Sequence, residues 1–235
     1  MTSGKLYLIP SPLGEGAPQE VLPAPLLTLL PQIRRFVVEE VRTARRFLSA
    51  AGLKGHIQEL EFHTLNEHTS PAEVEALLPL FADGQPVGLI SEAGLPAVAD
   101  PGARLVALCH AHGIEVVPFV GPSSLMLALM SSGLDGQHFA FAGYIPAKPE
   151  ERRAALRTLE KHSAHQTQIL IETPYRNDAL LQDMLQVLQP RTRLCIAANL
   201  TCPDQFIRTL TVAQWKKIPD FAIGKRPCVF VFQGV

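Results

Sequence analysis

Leu89 to Ser124 reads LISEAGLPAVADPGARLVALCHAHGIEVVPFVGPSS, and the organisation of the chain can be worked outward from this stretch. Residues 87–90 form an apolar run suited to a buried strand. Residues 91–102 make a loop of small side chains, Gly and Pro that packs no core of its own and permits close backbone approach. Residues 114–119 read as a second strand, and Gly121-Pro122-Ser123-Ser124 leads into a helix over 123–130. Two strand, loop and helix turns in succession are the grammar of a parallel α/β sheet, which keeps its ligands in the loops at the carboxyl ends of the strands. Asp100, Pro101 and Gly113 serve equally well as ordinary start and stop signals for the intervening helix.

The chain has 235 residues, 47% of them hydrophobic, enough to bury a substantial core in one large domain or two small ones. A formal charge of -1 excludes an extended, purely electrostatic nucleic-acid binder, while a local basic face would be hidden in that total. Cys109, Cys195, Cys202 and Cys228 are scattered, with no close pair and no His at finger spacing, so neither a metal site nor a disulfide framework is expected. They suit a reduced, cytoplasmic setting. The opening MTSGKLYLIP is too short in apolar residues for a signal segment, and no later run reaches the length of a membrane span.

The remaining segments alternate in the same way. Strands are expected over 6–9 and 35–38, the first ending in the loop 10–16, with helices over 41–51 and 73–82, the latter entered through Ser70-Pro71. Beyond Gly133 the pattern changes: strands over 139–145, 168–172, 194–198, 205–210 and 228–232, helices over 150–162 and 178–188, and hairpin-like spacing near the end. The expected fold class is therefore α/β in two domains. An N-terminal, mostly parallel open sheet with helices spans 1–118, and a C-terminal mixed-sheet α/β domain spans 119–235, with the boundary near Pro118.

The sequence has no GxxxxGK[ST] loop, and PSPLGEG (10–16) carries prolines where a dinucleotide fingerprint needs glycines, which disfavours a phosphate-rich ligand. Small-residue turns offering backbone N–H and C=O groups, with a helix start at Ser123-Ser124, suit a nucleoside joined to an amino acid. Plain N-capping is the competing role for the two serines. LYLIPSPLG, EEVRTARRFL, SEAGLPAVADPG, GIEVVPFVGPSS, GYIPAK and ETPYR, in this order, resemble the tetrapyrrole-methylase superfamily of S-adenosylmethionine-dependent methyltransferases. Within it they are most similar to the branch that methylates a cytidine 2′-hydroxyl of 16S ribosomal RNA, which shows TPIGNL, EDTRHTRKLL, SDAGTPxISDPG, PGPxA, GFLPAK and ESTHR. The resemblance implies two α/β domains with the cofactor in the cleft between them, a homodimer, and S-adenosylmethionine as cofactor.

Position by position, the resemblance puts Pro12, Gly14, Glu92, Gly94, Leu95, Val98, Ser123 and Ser124 along the cofactor, with Glu172 and Ala198 from the second domain. Core packing for Val98, a strand end for Ala198 and a helix cap for Glu172 are the ordinary alternatives. Methyl transfer to a ribose hydroxyl needs alignment and a group that eases loss of its proton. Glu39, Arg42, Lys148 and Arg176 are the ionisable candidates, of which Glu39, Arg42 and Arg176 are taken as catalytic. Glu39 and Arg42 are spaced to share a helix face, where a surface ion pair is the competing reading. Arg42, Arg45 and Arg46 offer one contact zone for RNA phosphates, and Arg152 with Arg153 a second.

The chain also departs from that branch. ARELTK is AANLTC here, so Asn199 and Cys202 replace ionisable residues; Leu95 replaces a hydroxyl; Lys225-Arg226-Pro227 replaces KGE; and the segment 18–31 has lost the regular helix entry. Two alternatives to an RNA methyltransferase follow from this: a methyltransferase for a small, tetrapyrrole-like acceptor, and a cofactor-binding module without turnover.

Overall fold

The computed structural model describes residues 4–234. Residues 1–3, the head of the stretch expected to carry no leader, and residue 235 lie outside them. The chain divides into two compact units, Met1–Ser123 and Ser124–Val235. The division falls a few residues beyond Pro118, because the chain past β5 stays attached to the first unit: Phe119 N–H donates to the Leu8 carbonyl at 3.1 Å, and its ring lies 5.8 Å from that of Tyr7.

The first unit runs β1 (Leu6–Ile9), α1 (Pro18–Val21), α2 (Ala24–Leu29), β2 (Arg35–Val38), α3 (Val41–Leu48), β3 (Glu61–Thr64), α4 (Pro71–Glu75), β4 (Val87–Ile90), α5 (Ala103–Ala111) and β5 (Val116–Pro118). Its sheet has the order β3-β2-β4-β1-β5, and every pairing is parallel. Strand alternation sorts the apolar side chains onto two faces. Ile9, Phe36, Val38 and Ile90 pack with Leu26, Leu30 and Leu48 on one face. Leu6, Val37, Val87 and Leu89 pack with Phe81 and Leu105 on the other. Gly88 in β4 leaves the room that the first face needs, since a Cβ there would lie 2.6 Å from Ile9 Cδ1 and 2.8 Å from Phe36 Cδ1.

Several expected elements are shorter or interrupted. The helix expected over 41–51 gives way after Leu48 to a wider turn over Ser49–Leu53, where Gly52 adopts φ 115°. The helix expected over 73–82 starts at Pro71 behind a Ser70–Glu73 capping box and breaks into a 3-10 turn over Leu78–Phe81, as Pro79 has no N–H to continue it. The Pro-rich segment folds into α1 and α2, each with a proline in its first turn, where a missing donor costs nothing. Strand β3 was not anticipated from EFHT, whose residues are exposed or half-buried without apolar alternation.

The second unit runs α6 (Ser124–Ser132), β6 (Phe139–Gly143), α7 (Pro149–Ser163), β7 (Thr167–Ile171), α8 (Asn177–Val187), β8 (Arg193–Ala198), β9 (Phe206–Thr211), α9 (Val212–Trp215) and β10 (Cys228–Gln233). Its sheet order is β6-β7-β10-β8-β9, parallel only between β6 and β7, so the mixed sheet expected from the sequence is present. Leu170, Leu194, Ile196, Phe230 and Phe232 pack beneath Leu156, Leu180, Leu181 and Met184 of the two long helices. Trp215 joins that core with its Nε1–H donating to the Leu194 carbonyl at 2.8 Å.

Helices α7 and α8 are joined by a buried ionic group. Asp183 of α8 accepts from Arg152 Nε at 2.6 Å and from Arg153 Nε at 2.7 Å, and Arg152 also donates to the Ala147 carbonyl. Burial pushes the Asp183 carboxyl up, but the bonds from Arg153 and Arg152 outweigh it and hold the group below the usual carboxylate range. This corrects the expectation that Arg152 and Arg153 form a contact zone for RNA, because their charges are spent inside the fold. The side chains of Arg152 and Asp183 are 6% and 5% exposed, so truncating one strands the other. Asp183→Ala is expected to lower the free energy of unfolding by about 3–5 kcal/mol in chemical denaturation, the cost of an uncompensated buried charge.

Candidate active site

The parallel sheet of the first unit aligns the carboxyl ends of β2, β4, β1 and β5, so the segments that follow them lie next to one another. The chain leaving β1 travels to β2 and the chain leaving β4 travels to β5, in opposite directions across the sheet, which opens a crevice at the β1/β4 pair. Three loops meet there. Ser11 and Gly94 form a two-way backbone bridge, Ser11 N to Gly94 O at 2.9 Å and Gly94 N to Ser11 O at 3.0 Å. The buried Ser11 hydroxyl donates to the Ser91 carbonyl at 2.9 Å.

Gly94 sits at φ 77°, a left-handed conformation, and a Cβ on it would come within 3.1 Å of Leu13 and 3.5 Å of the Pro122 carbonyl. A Cβ on Gly121 would run into the Pro10 ring. Only glycine permits both approaches.

Asp100 holds the 91–102 loop in its unusual shape. Its Oδ1 accepts from Ala97 N–H at 2.8 Å and Gly102 N–H at 2.7 Å, while Ala97 and Ala99 adopt φ of 65° and 59°. Left-handed backbone at a residue with a Cβ costs about 1–2 kcal/mol, and two such residues so close together mark a loop held for function. The sequence reading had Asp100 only as a helix start. The added role explains why Val98, whose alternative was core packing, is pushed out and left 44% exposed.

Carboxylates gather beside these loops. Glu39, in the segment after β2, is half-buried and accepts a backbone hydrogen bond from Glu92. Burial, followed by the charges of Asp100, Glu92 and Glu67, raises its pKa above the ordinary value. Burial likewise raises Glu92, against a hydrogen bond from Thr43, and Asp100, against its two backbone donors. The region is therefore negative in potential. It repels polyphosphate and favours a ligand carrying positive charge, such as a sulfonium or an ammonium.

The expected pairing of Glu39 with Arg42 does not occur. Glu39 precedes α3, whose N-cap is Glu40, with its carboxylate accepting from Arg42 N–H at 2.9 Å, so Glu39 and Arg42 share no helix face. Arg42, Arg45 and Arg46 are all exposed and carry no ion pair among the described residues, apart from the stacking of Arg45 over Phe62 at 5.3 Å. Pro12 and Leu95 are half-buried and Gly14 is exposed, all on the converging loops. Ser123 closes the first unit and Ser124 opens α6, both half-buried.

In the second unit, Glu172 follows β7 with its side chain fully enclosed. Its Oε1 accepts from Thr173 N–H at 2.6 Å and from Arg176 Nε and Nη2 at 3.0 and 2.6 Å. Arg176 is thus a positioning group for Glu172 rather than a free cation. Glu172 Oε2 is buried with no partner among the described residues, an acceptor held open for a donor. Ala198 ends β8, wholly buried in the core and paired between Cys228 and Phe206, so this unit leaves none of its surface open to a ligand. Lys148 is ion-paired with Glu151 at 3.3 Å on the surface.

Asn199 occupies a left-handed position at φ 48° and donates to Asp204 at 2.7 Å, which gives it a role in shaping the turn at 199–205. Among the described residues no group of three or more His, Cys, Asp and Glu is arranged to hold a metal, and no helix is long and apolar enough to cross a membrane. The four cysteines are all unpaired.

The glycine-tight loops, the exposed apolar Val98 and the negative potential, all within the first unit, fit a nucleoside attached to a cationic amino acid, the make-up of S-adenosylmethionine. Comparison with known proteins points the same way. A protein of Vibrio cholerae serotype O1 named "Ribosomal RNA small subunit methyltransferase I" is 31% identical over 209 residues, 89% of this chain and 69% of that protein. One of the same name from Escherichia coli O157:H7 is 32% identical over 200 residues, 85% of this chain and 66% of that protein. The chain thus spans about two thirds of the length of these relatives. The solved structure of uroporphyrin-III C-methyl transferase from Thermus thermophilus complexed with S-adenyl homocysteine has the same fold, with a TM-score of 0.58 at 18% identity, covering 98% of this chain and 97% of that one. Residues 26–215 match the model of the tetrapyrrole (corrin/porphyrin) methylases, and the chain belongs to this family.

Proposed function

We propose that the protein is an S-adenosylmethionine-dependent methyltransferase acting on RNA, with the ribose 2′-hydroxyl of a cytidine in 16S ribosomal RNA as acceptor, working in the cytoplasm as a homodimer. The observation that carries the reading is the set of three loops locked together at Gly94 and Gly121 beside the coupled carboxylates Glu39, Glu92 and Asp100. The names of the curated relatives support the RNA acceptor, and the unpaired cations Arg42, Arg45 and Arg46 on α3 support contact with its phosphates.

When bound, S-adenosylmethionine supplies a methyl carbon made electrophilic by its sulfonium. Pro12, Gly14, Gly94 and Leu95 offer backbone and apolar surface to the ligand, and Val98 offers a wall for its base. Ser123, Ser124, Glu92 and Glu172 are the polar groups proposed to hold it. Glu39 is the proposed proton acceptor for the ribose hydroxyl, since a carboxylate raised by burial is a better base near neutral pH than an exposed one. Arg42 holds the strand beside it, and Arg176 keeps Glu172 in place.

Titration calorimetry with S-adenosylhomocysteine tests the first half of the reading. Saturable one-site heat is expected with the wild type, and at least a tenfold loss of affinity with Gly94→Val, whose circular dichroism should match the wild type. Transfer of labelled methyl to undermodified 16S ribosomal RNA tests the second half; labelling of a small acceptor instead would favour the tetrapyrrole-like alternative.

Glu39→Gln is expected to lower kcat by about 10²- to 10⁴-fold, the usual worth of a general base, and to flatten the rise of rate with pH. The same variant has a stability signature. The folded-state pKa of Glu39 is raised above the ordinary 4.5, so the folded state holds its proton more tightly than the unfolded state. Stability therefore falls as pH rises from about 4.5 through the raised value. Glu39→Gln should melt at a higher temperature than the wild type at pH 8, and the difference should vanish near pH 4.

A further inference from the structure

Helix α7 and the turn before β8 enclose a cavity of about 710 Å³ that the candidate active site does not use. Arg157 and Lys161, four residues apart on the exposed side of α7, line it together with Arg191 from the turn. Val187 and Pro190 supply apolar wall. The acidic residue in the lining is Glu160, and its Oε1 is already committed, accepting from Gln189 N–H and the Thr192 hydroxyl, both at 2.6 Å.

Arg157, Lys161 and Arg191 have no ion pair or hydrogen bond among the described residues, in contrast to Arg152 and Arg153 on the same helix, which are both bound to Asp183. Glu160 keeps its charge and offsets one of the three cations, so the lining is left with a net positive charge of two that an anion placed in the concavity relieves.

Position separates this cavity from the groups assigned to the cofactor. Thr167 and Arg193 begin β7 and β8 at the cavity end of the sheet, whereas Glu172 and Ala198 lie at the opposite end. Strands of five and six residues span roughly 17–20 Å. A ligand here is held away from the reacting atoms.

We propose that this cavity binds the phosphodiester backbone of the RNA acceptor, away from the nucleotide being methylated. The proposal rests on the RNA reading given above. The chemistry favours nucleic acid because two of the three cations are arginines, whose forked donors match phosphate oxygens, and because the concavity accepts a protruding backbone.

Fluorescence anisotropy with a labelled stem-loop RNA tests it, comparing the wild type, the triple variant Arg157→Ala/Lys161→Ala/Arg191→Ala, and Lys216→Ala, a cation of the same unit outside the cavity. The triple variant is expected to bind about tenfold more weakly at moderate salt, with a log–log salt slope shallower by about two to three, and Lys216→Ala to match the wild type. Unchanged S-adenosylhomocysteine affinity in the triple variant would show that the fold is intact. Equal affinity and slope in the triple variant and the wild type overturn the cavity proposal alone; a wild type that binds no RNA overturns it together with the RNA reading. Displacement of the stem-loop at equal ionic strength by pyrophosphate, or by polyglutamate, also overturns it, the first in favour of a small-anion site and the second of an acidic protein partner.

Discussion

Everything at the candidate site depends on backbone meeting backbone where a Cβ would intervene. The bridge between Ser11 and Gly94, the seating of Gly121 on Pro10 and the left-handed turn at Gly94 bind three loops that are far apart in sequence into one surface. The parallel sheet makes this possible, since strands running the same way release all their following loops at one end. The small residues then let those loops close without side chains between them. The exposed apolar side chains on these loops are Val98 and Val120, which suit the surface to a flat base.

That surface is electrostatically expensive. Burial disfavours the charged forms of Glu39, Glu92 and Asp100; the charges of Asp100 and Glu92 add to this at Glu39, while Arg46 works against it at Glu92. The two ionic groups answer different needs. The Asp183 group joins two helices through one carboxylate shared by Arg152 and Arg153, whereas the Glu39 group gathers carboxylates beside the loops, where Arg46 offsets part of the charge of Glu92. Exposed cations on α3 and on the outer face of α7 coexist with these carboxylates in a chain of nearly zero net charge.

Much of the architecture was legible because burial leaves a periodic trace. The strands at Leu6–Ile9, Arg35–Val38 and Val87–Ile90 are short apolar runs bounded by turn residues, and they fold where that pattern puts them. Strand β3 was illegible for the converse reason: at the edge of the sheet, with its side chains mostly in contact with water, it needs no apolar pattern and is held by its pairing with β2. The segment 18–31 reads as lacking a regular helix entry, yet it holds two short helices, Pro18–Val21 and Ala24–Leu29, each with a proline in the first turn, where it is a starting signal.

The site divides in the same way. The chain by itself determined which loops would be glycine-rich and small enough to approach one another, because this follows from residue type and local spacing. Tertiary structure alone decided the partners. Arg152 and Arg153 look like free cations in sequence and are consumed by Asp183, thirty residues away; Arg176 is bound to Glu172; Glu39 lies off the helix it was expected to share with Arg42. A side chain's charge is written in the sequence, but whether that charge remains available depends on which other chain segment the fold brings within hydrogen-bond reach.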